Sequence, residues 1–363
     1  MPLDLARIKQ VKFWKGSYLC MNKKVLLIGG GGFIGLGISR FLGERRNCDI
    51  TIADILSPEQ QDEEFERAVS QYSIKVARGD YSKPDTFSLL DNEYDYVYML
   101  ASIVGVNKCI EEPHEVIRVN TALIQNTLNW INKSKIGKVL FSSSSECYAA
   151  TTDVFQYPVP TPEEVPLTIS DISHPRFTYA VTKMLGESAF LNCGKHYQVP
   201  VTIVRYQNIF GPRMGFKHAI PHIIQRFYED KERPFKIYGA TQTRAFCYIT
   251  DAAEGTVLAM ENEESDQQVF HIGSPHEITI EELTKTIGRL MGYNDEYTGA
   301  QTYPGSVSRR CPDITKSINL LGYQPNVSWE DGLKETVDWY REFYASGRKI
   351  HNGGFKQPED LKF

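Results

Sequence analysis

Three groups of residues in this chain have types and spacings that could do chemistry. Tyr179 and Lys183 stand four apart, so on a helix a phenol and an ammonium share one face. Residues 142–145 are four serines, followed directly by Glu146. Hydroxyls and a carboxylate at the end of a strand suit ligand binding and proton transfer. The third group, the glycines at 29–32, offers bare backbone N–H groups to an anion. Each group also has a plainer reading: a surface pair, a serine-rich loop whose Glu146 caps it, and a glycine-rich turn of some other α/β protein.

The elements that must position these groups follow from the apolar pattern. Residues 24–35, KVLLIGGGGFIG, read as strand, loop and helix start, because 25–28 is wholly apolar and 33–42 carries apolar residues at helical spacing. Gly29, Gly32 and Gly35 satisfy GxxGxxG, and Gly30, Gly32 and Gly35 satisfy GxGxxG. A second strand over 49–53 ends at Asp54, 19 positions after Gly35. At that distance a carboxylate reaches the ribose hydroxyls of NAD, or is simply a solvated turn residue. Helix 58–72 and strand 74–78 lead to Asp80, which faces either an adenine ring or solvent. A fourth strand, 96–100, enters the small residues Ala101 and Ser102, and a helix follows over 113–132. Strand 138–141 delivers the serines. A proline-rich insert over 151–176 is long enough to shape a pocket, and helical sequence resumes at 177. The repeated strand–helix alternation predicts a doubly wound α/β fold of Rossmann type.

Composition narrows the partners. The 363 residues are 41% hydrophobic and 23% charged, with net charge -5, and no block of Lys and Arg invites nucleic acid or an anionic membrane. No apolar run approaches the length of a membrane span. The seven cysteines are scattered without a CxxC pair, which fits a reducing cytoplasm, and neither they nor the eight histidines show metal-ligand spacing. Residues 1–20 lack the continuous apolar core of a signal peptide and read as a docked extension, or Met21 as the natural start. The tail over 347–363 is polar.

A glycine loop, an acid after the second strand, serines after the fifth and then YxxxK, in that order, resemble the extended short-chain dehydrogenase/reductase superfamily. More narrowly, GGGGFIG, SSSSECY, YAVTK, the segment 205–213 (RYQNIFGPR) and the segment 243–251 (TRAFCYITD) resemble the NAD-dependent nucleotide-sugar epimerase/dehydratase family. The resemblance implies that Tyr179 is the base toward a sugar hydroxyl, that Lys183 lowers its pKa and holds the nicotinamide ribose, and that Ser144 steadies the same oxygen. It implies NAD contacts at Gly29, Gly32, Phe33, Ile34, Gly35, Asp54, Asp80, Tyr81, Leu100, Ala101, Ser102 and Gln207, besides Tyr179 and Lys183. It implies substrate contacts at Ser145, Asn208, Arg244 and Arg310, the arginines clamping the diphosphate of a nucleoside-diphosphate sugar. As bare residues, both arginines read equally as surface charges.

By the same resemblance, 21–205 and 241–273 form the NAD-binding domain, and 206–240 with 274–346 form a smaller, mainly helical substrate domain. A homodimer through the helices starting near 113 and 179 is expected. The reaction begins with oxidation at sugar C4 and continues by dehydration or epimerisation. Glu146 occupies the position of the dehydratase base for the C5 proton, and Ser-Glu at this point also resembles decarboxylases acting on a C6 carboxylate. A 4-dehydrogenase and a catalytically silent NAD-binding protein are the remaining readings.

Overall fold

Residues 22–57, 62–152, 154–216, 218–229, 233–302 and 306–347 are described in a computed structural model of the protein. The expected N-terminal extension, residues 58–61 of the expected second helix, and the tail beyond Gly347 lie outside the described residues. The chain begins with β1 (Lys24–Ile28), α1 (Phe33–Arg46), β2 (Asp49–Asp54), α2 (Glu63–Gln71), β3 (Lys75–Arg78) and β4 (Glu93–Met99). Then come α3 (Val106–Glu111), α4 (Pro113–Ile131), β5 (Lys135–Ser144), α5 (Thr178–Tyr197) and β6 (Val201–Tyr206). The remainder is β7 (Ile209–Phe210), α6 (Ala219–Glu229), β8 (Phe235–Tyr238), β9 (Thr243–Ala245), β10 (Cys247–Tyr248), α7 (Ile249–Glu261) and β11 (Gln268–Ile272). It closes with β12 (Glu277–Thr279), α8 (Ile280–Met291), β13 (Tyr297–Ala300), β14 (Arg309–Arg310), α9 (Thr315–Leu321) and α10 (Trp329–Ala345).

Seven of these strands make one parallel sheet in the order β11-β6-β5-β4-β1-β2-β3. This is the doubly wound Rossmann architecture that the alternation predicts. Its strands are buried on both faces, which is why β1 needs an unbroken apolar run. Successive side chains point to opposite faces. Val25 and Leu27 pack with α1 and α7 residues such as Leu36 and Val257, whereas Leu26 and Ile28 pack with Leu123 of α4 and Phe190 of α5. The strand order reverses between β1 and β4, and the crevice at their carboxyl ends is where such sheets bind ligands.

A third apolar cluster gathers α6, α8 and α10 around Phe227, Phe235, Ile287 and Tyr340. Beside it lie three small sheets, of which β12-β9-β14 matters most. In it Arg309 and Arg310 run parallel to Thr243 and Arg244. The proline-rich insert is stitched to the same region. Thr161 donates its N–H to Cys311 O at 2.9 Å and accepts from Asp313 N at 2.9 Å.

Candidate active site

The glycine loop sits at the switch point. Gly29 has φ +86°, and a Cβ there would lie 2.5 Å from the Ala101 nitrogen, so the residue must be glycine on both counts. A Cβ at Gly35 would strike Gly30 at 2.5 Å, and this bareness lets α1 start tight against β1. At Gly32, the N-cap of α1, nothing lies closer than 3.5 Å, and no side chain caps the helix. An open helix N-terminus behind a strand is a cradle for a diphosphate, and these residues fit a dinucleotide.

Asp54 closes the same site from β2. Its Oδ2 accepts the Gly31 N–H at 2.8 Å and its Oδ1 the Leu56 N–H at 3.1 Å. Burial nevertheless leaves its pKa raised. Phe33 and Ile34 form the first turn of α1. Leu100 and Ala101 both donate their N–H groups to Ile28 O at 2.8 Å, drawing the 100–102 turn against the end of β1. Ser102 hydrogen-bonds Ile103 O at 3.3 Å. Asn120 of α4, unmarked by the sequence reading, holds this turn by accepting from Ile103 N at 2.7 Å and donating to Ile103 O and to Thr182. Asp80 accepts from Ser82 N and Oγ. Tyr81 is turned into the core, its hydroxyl on Ala77 O, so only its backbone is left to meet a cofactor.

Across the crevice, β5 ends at Ser144 and α5 begins at Thr178. Lys183 lies buried beneath Tyr179, 5.6 Å from its ring, and donates to Ser142 O at 2.7 Å. Burial lowers its pKa to about 8. Burial also drives the Tyr179 phenol well above its ordinary value, against the Ser144 hydroxyl beside it, which acts in the opposite sense. α5 can press this close to β5 because a Cβ at Gly186 would fall 2.2 Å from the Phe141 ring.

One turn beyond Lys183, Glu187 opens a buried polar network that the sequence reading missed. It accepts from Ser143 Oγ and from Arg205, the latter by two bonds of 2.8 and 2.6 Å. Arg205 donates in turn to Tyr148 and to Glu163 O at 2.9 Å. The Tyr148 hydroxyl lies 2.7 Å from His271 Nε2, and His271 Nδ1 is 2.8 Å from Asp313 O. Burial holds His271 down to about 3, so its ring is neutral.

Glu146 is the most heavily charged point of the site. Arg310 Nη1 donates to it at 2.6 Å and meets Ser145 Oγ at 3.4 Å, while Arg176 lies 4.0 Å from its other oxygen. Burial works to raise the Glu146 pKa, but Arg310, Arg176 and Arg244 outweigh it and hold the carboxyl at about 2. Arg176 and Arg310 have only 10% and 11% of their side chains exposed, and the buried Nε of Arg176 has no hydrogen-bond partner. Arg176, an arginine in a proline-rich stretch, carries no pattern in the sequence.

Gln207 is buried beside Arg310, in a narrow cleft that Tyr148, Thr152 and His271 also line. Asn208 is less well placed. Its side-chain amide donates to Ala245 O at 2.9 Å. Arg244 bends toward 306–307, donating to Val307 O at 2.6 Å, although strand pairing keeps it level with Arg310.

A parallel sheet with a bare glycine loop at its switch point, and with serine, tyrosine and lysine converging on the same edge, defines a dinucleotide-dependent protein of the short-chain dehydrogenase/reductase type. The chain belongs to the NAD dependent epimerase/dehydratase family, whose model matches residues 25–273. It is accordingly an NAD-dependent enzyme, and the glycine loop fits that cofactor's diphosphate. The chain is 33% identical to a UDP-N-acetyl-alpha-D-glucosaminuronate decarboxylase of Bacillus cytotoxicus, over 89% of this chain and 99% of that one. UDP-glucuronic acid decarboxylase 5 of Arabidopsis thaliana is 28% identical over 88% and 90%. Among solved structures, the UDP-glucuronic acid 4-epimerase of Bacillus cereus, in complex with UDP-glucuronic acid and NAD, superposes with a TM-score of 0.73 at 26% identity, covering 88% of this chain and 100% of that one. No helix among the described residues is long and apolar enough to cross a membrane.

Proposed function

We propose that the chain oxidises C4 of a nucleoside-diphosphate uronic acid and releases the C6 carboxyl as carbon dioxide. The observation that carries this reading is the pair of buried arginines, Arg310 and Arg176, at the Glu146 carboxylate. A guanidinium with a buried, unpartnered Nε is suited to an incoming carboxylate, and Arg176 stands beside Arg310, where two such forks converge. Dehydration would ask a base to remove the C5 proton, and a carboxylate held at about 2 by Arg310 is a weak one. Loss of carbon dioxide asks for none. The relatives named above are proteins of UDP-linked uronic acids, which supports a uridine nucleotide.

In this reading Gly29, Gly32, Phe33, Ile34 and Gly35 hold the cofactor's diphosphate. Asp54 takes a ribose, while Asp80, the Tyr81 backbone, the 100–102 turn and Gln207 line the rest. Bound NAD supplies the acceptor, and later the donor, of the C4 hydride. Tyr179 accepts the C4 hydroxyl proton. Its raised pKa opposes this in the unliganded site, and the ammonium of Lys183 one turn away brings the phenolate within reach. Ser144 donates to the forming C4 carbonyl oxygen. With C4 a ketone, the electrons of the C5–C6 bond pass into the carbonyl as carbon dioxide leaves, and C5 then takes up a proton. Ser145, Asn208, Arg244 and Arg310 line the sugar and diphosphate end. The segments 206–240 and 274–346 would form the nucleotide-sugar part, and 21–205 with 241–273 the NAD part.

Incubation of the NAD-loaded enzyme with UDP-glucuronate and with UDP-N-acetylglucosaminuronate, followed by mass spectrometry, is expected to show loss of carbon dioxide from at least one. Unchanged mass with inverted C4 would make it a 4-epimerase instead. Loss of water from neutral sugar nucleotides, without decarboxylation, would restore the dehydratase reading.

We further propose a cytoplasmic homodimer. Ile117 of α4 and Val181 and Leu185 of α5 leave 47%, 36% and 45% of their surface exposed on neighbouring helices, which a second copy would cover. Cys109, Cys147, Cys193, Cys247 and Cys311 are free thiols, which fits a reducing compartment.

A further inference from the structure

Arg213 belongs to the GPRM turn, five residues beyond Asn208, and takes up a left-handed backbone with φ +68°. Its side chain leaves the turn and reaches the glycine loop. Nη2 donates to Gly31 O at 3.0 Å, Nε pairs with the Asp62 carboxylate, and only 12% of the side chain is exposed. Asp62 is also the N-cap of α2, accepting from Phe65 N at 2.9 Å. Gly31 is therefore held from both sides, its N–H by Asp54 at 2.8 Å and its carbonyl by Arg213.

The carbonyl of Gly31 and the N–H of Gly32 belong to one planar trans peptide and point in opposite directions. A donor fixed on that carbonyl therefore aims the Gly32 N–H away from Arg213. That N–H meets Gly29 O only at 3.4 Å, at the mouth of α1 where nothing obstructs a Cβ. The turn that carries Arg213 is itself anchored, because Tyr340 of α10 donates to Met214 O and stacks edge-on against Phe216.

We propose that Arg213 is a positioning residue for the cofactor. It fixes the Gly31–Gly32 peptide in its diphosphate-receiving orientation and, through Asp62, holds the start of α2 against the same loop. A residue outside the glycine loop thereby keeps NAD in place between one half-reaction and the next. This rests on NAD dependence and not on the fate of the sugar. Loss of the contact frees the glycine peptide to rotate, so NAD is released faster while the fold, whose core lies elsewhere, is unaffected.

The test is the rate of NAD release from the holoenzyme, chased with excess labelled NAD, in Arg213→Gln and Arg213→Lys. The unfolding midpoint of each variant freed of NAD serves as the folding control. Arg213→Gln should release NAD about tenfold faster or more, the loss expected of a charge-assisted hydrogen bond. Arg213→Lys, which reaches one of the two partners, should fall between it and the parent, with both midpoints within about 2 °C of the parent, a shift small for a chain of this size. Release within about twofold of the parent in Arg213→Gln, which is below the effect of any such bond, would overturn the proposal. So would a midpoint that falls in step with retention in both variants, since that marks a purely structural role. Should Arg213→Gln fail to fold, the Lys variant decides: parental release at a parental midpoint overturns the assignment, and faster release upholds it.

Discussion

Tyr179 and Lys183 are four residues apart in sequence, and the structure stacks the ammonium 5.6 Å from the phenol ring, as their shared helical face requires. The Tyr179 phenol ionises less readily than free tyrosine, because burial penalises its charged form more than Ser144 relieves it. As the proposed base it would depend on cationic neighbours to stabilise the phenolate. Tyr179→Phe should lower kcat by roughly 10²–10⁴, the usual worth of a positioned acid–base group. Retained turnover would remove Tyr179 from the mechanism. At this scale the sequence was legible wherever residues cluster in the chain, as in the 29–35 loop, 142–146 and 179–183. It was silent on Arg176, Asn120 and Arg213, whose roles arise from contacts across 30 positions to Glu146, 17 to Ile103 and 182 to Gly31.

The elements were legible in proportion to their apolar signal. β1, β2 and α1 follow from unbroken or periodic apolar runs, and each appears within a few residues of its expected bounds. β5 runs longer than expected, from Lys135 through the serines to Ser144, because the polar residues at its end still pair with β6. α3 was absorbed into a loop, and β9 and β14, two or three residues each, give no period to read. The i, i+4, i+8 row on α5 proves to be Tyr179, Lys183 and Glu187, the last locked to Arg205 of β6 by two short bonds. Breaking a buried pair from one side leaves a charge without a partner. Glu187→Gln should destabilise the protein by about 3–5 kcal/mol in denaturant unfolding, far more than loss of a surface pair. A change below about 1 kcal/mol, the worth of a surface pair, would show that the network adds little to stability.

At the level of the whole molecule, the seven-stranded sheet provides the scaffold and the α6–α8–α10 cluster stands beside it. The apolar residues exposed on α4 and α5 lie on one side of that scaffold. Leu185→Lys would set an ammonium in the face proposed for a second copy. Sedimentation should show the parent as a dimer and this variant shifted toward monomer at the same concentration. A monomeric parent would refute the dimer, and a variant that stays dimeric would place the interface elsewhere.

The bonds joining Thr161 to Cys311 and Asp313 have a consequence for how such an enzyme acquires new substrates. Arg310 immediately precedes that seam, so the insert over 151–176 sets where its guanidinium stands. Tyr179 and Lys183 are fixed by a different contact, the packing of α5 on β5 through Gly186. A residue gained or lost in the insert would therefore be felt first at Arg310, and at α5 only through Glu163, Arg205 and Glu187. Selectivity can drift while the chemistry is inherited intact.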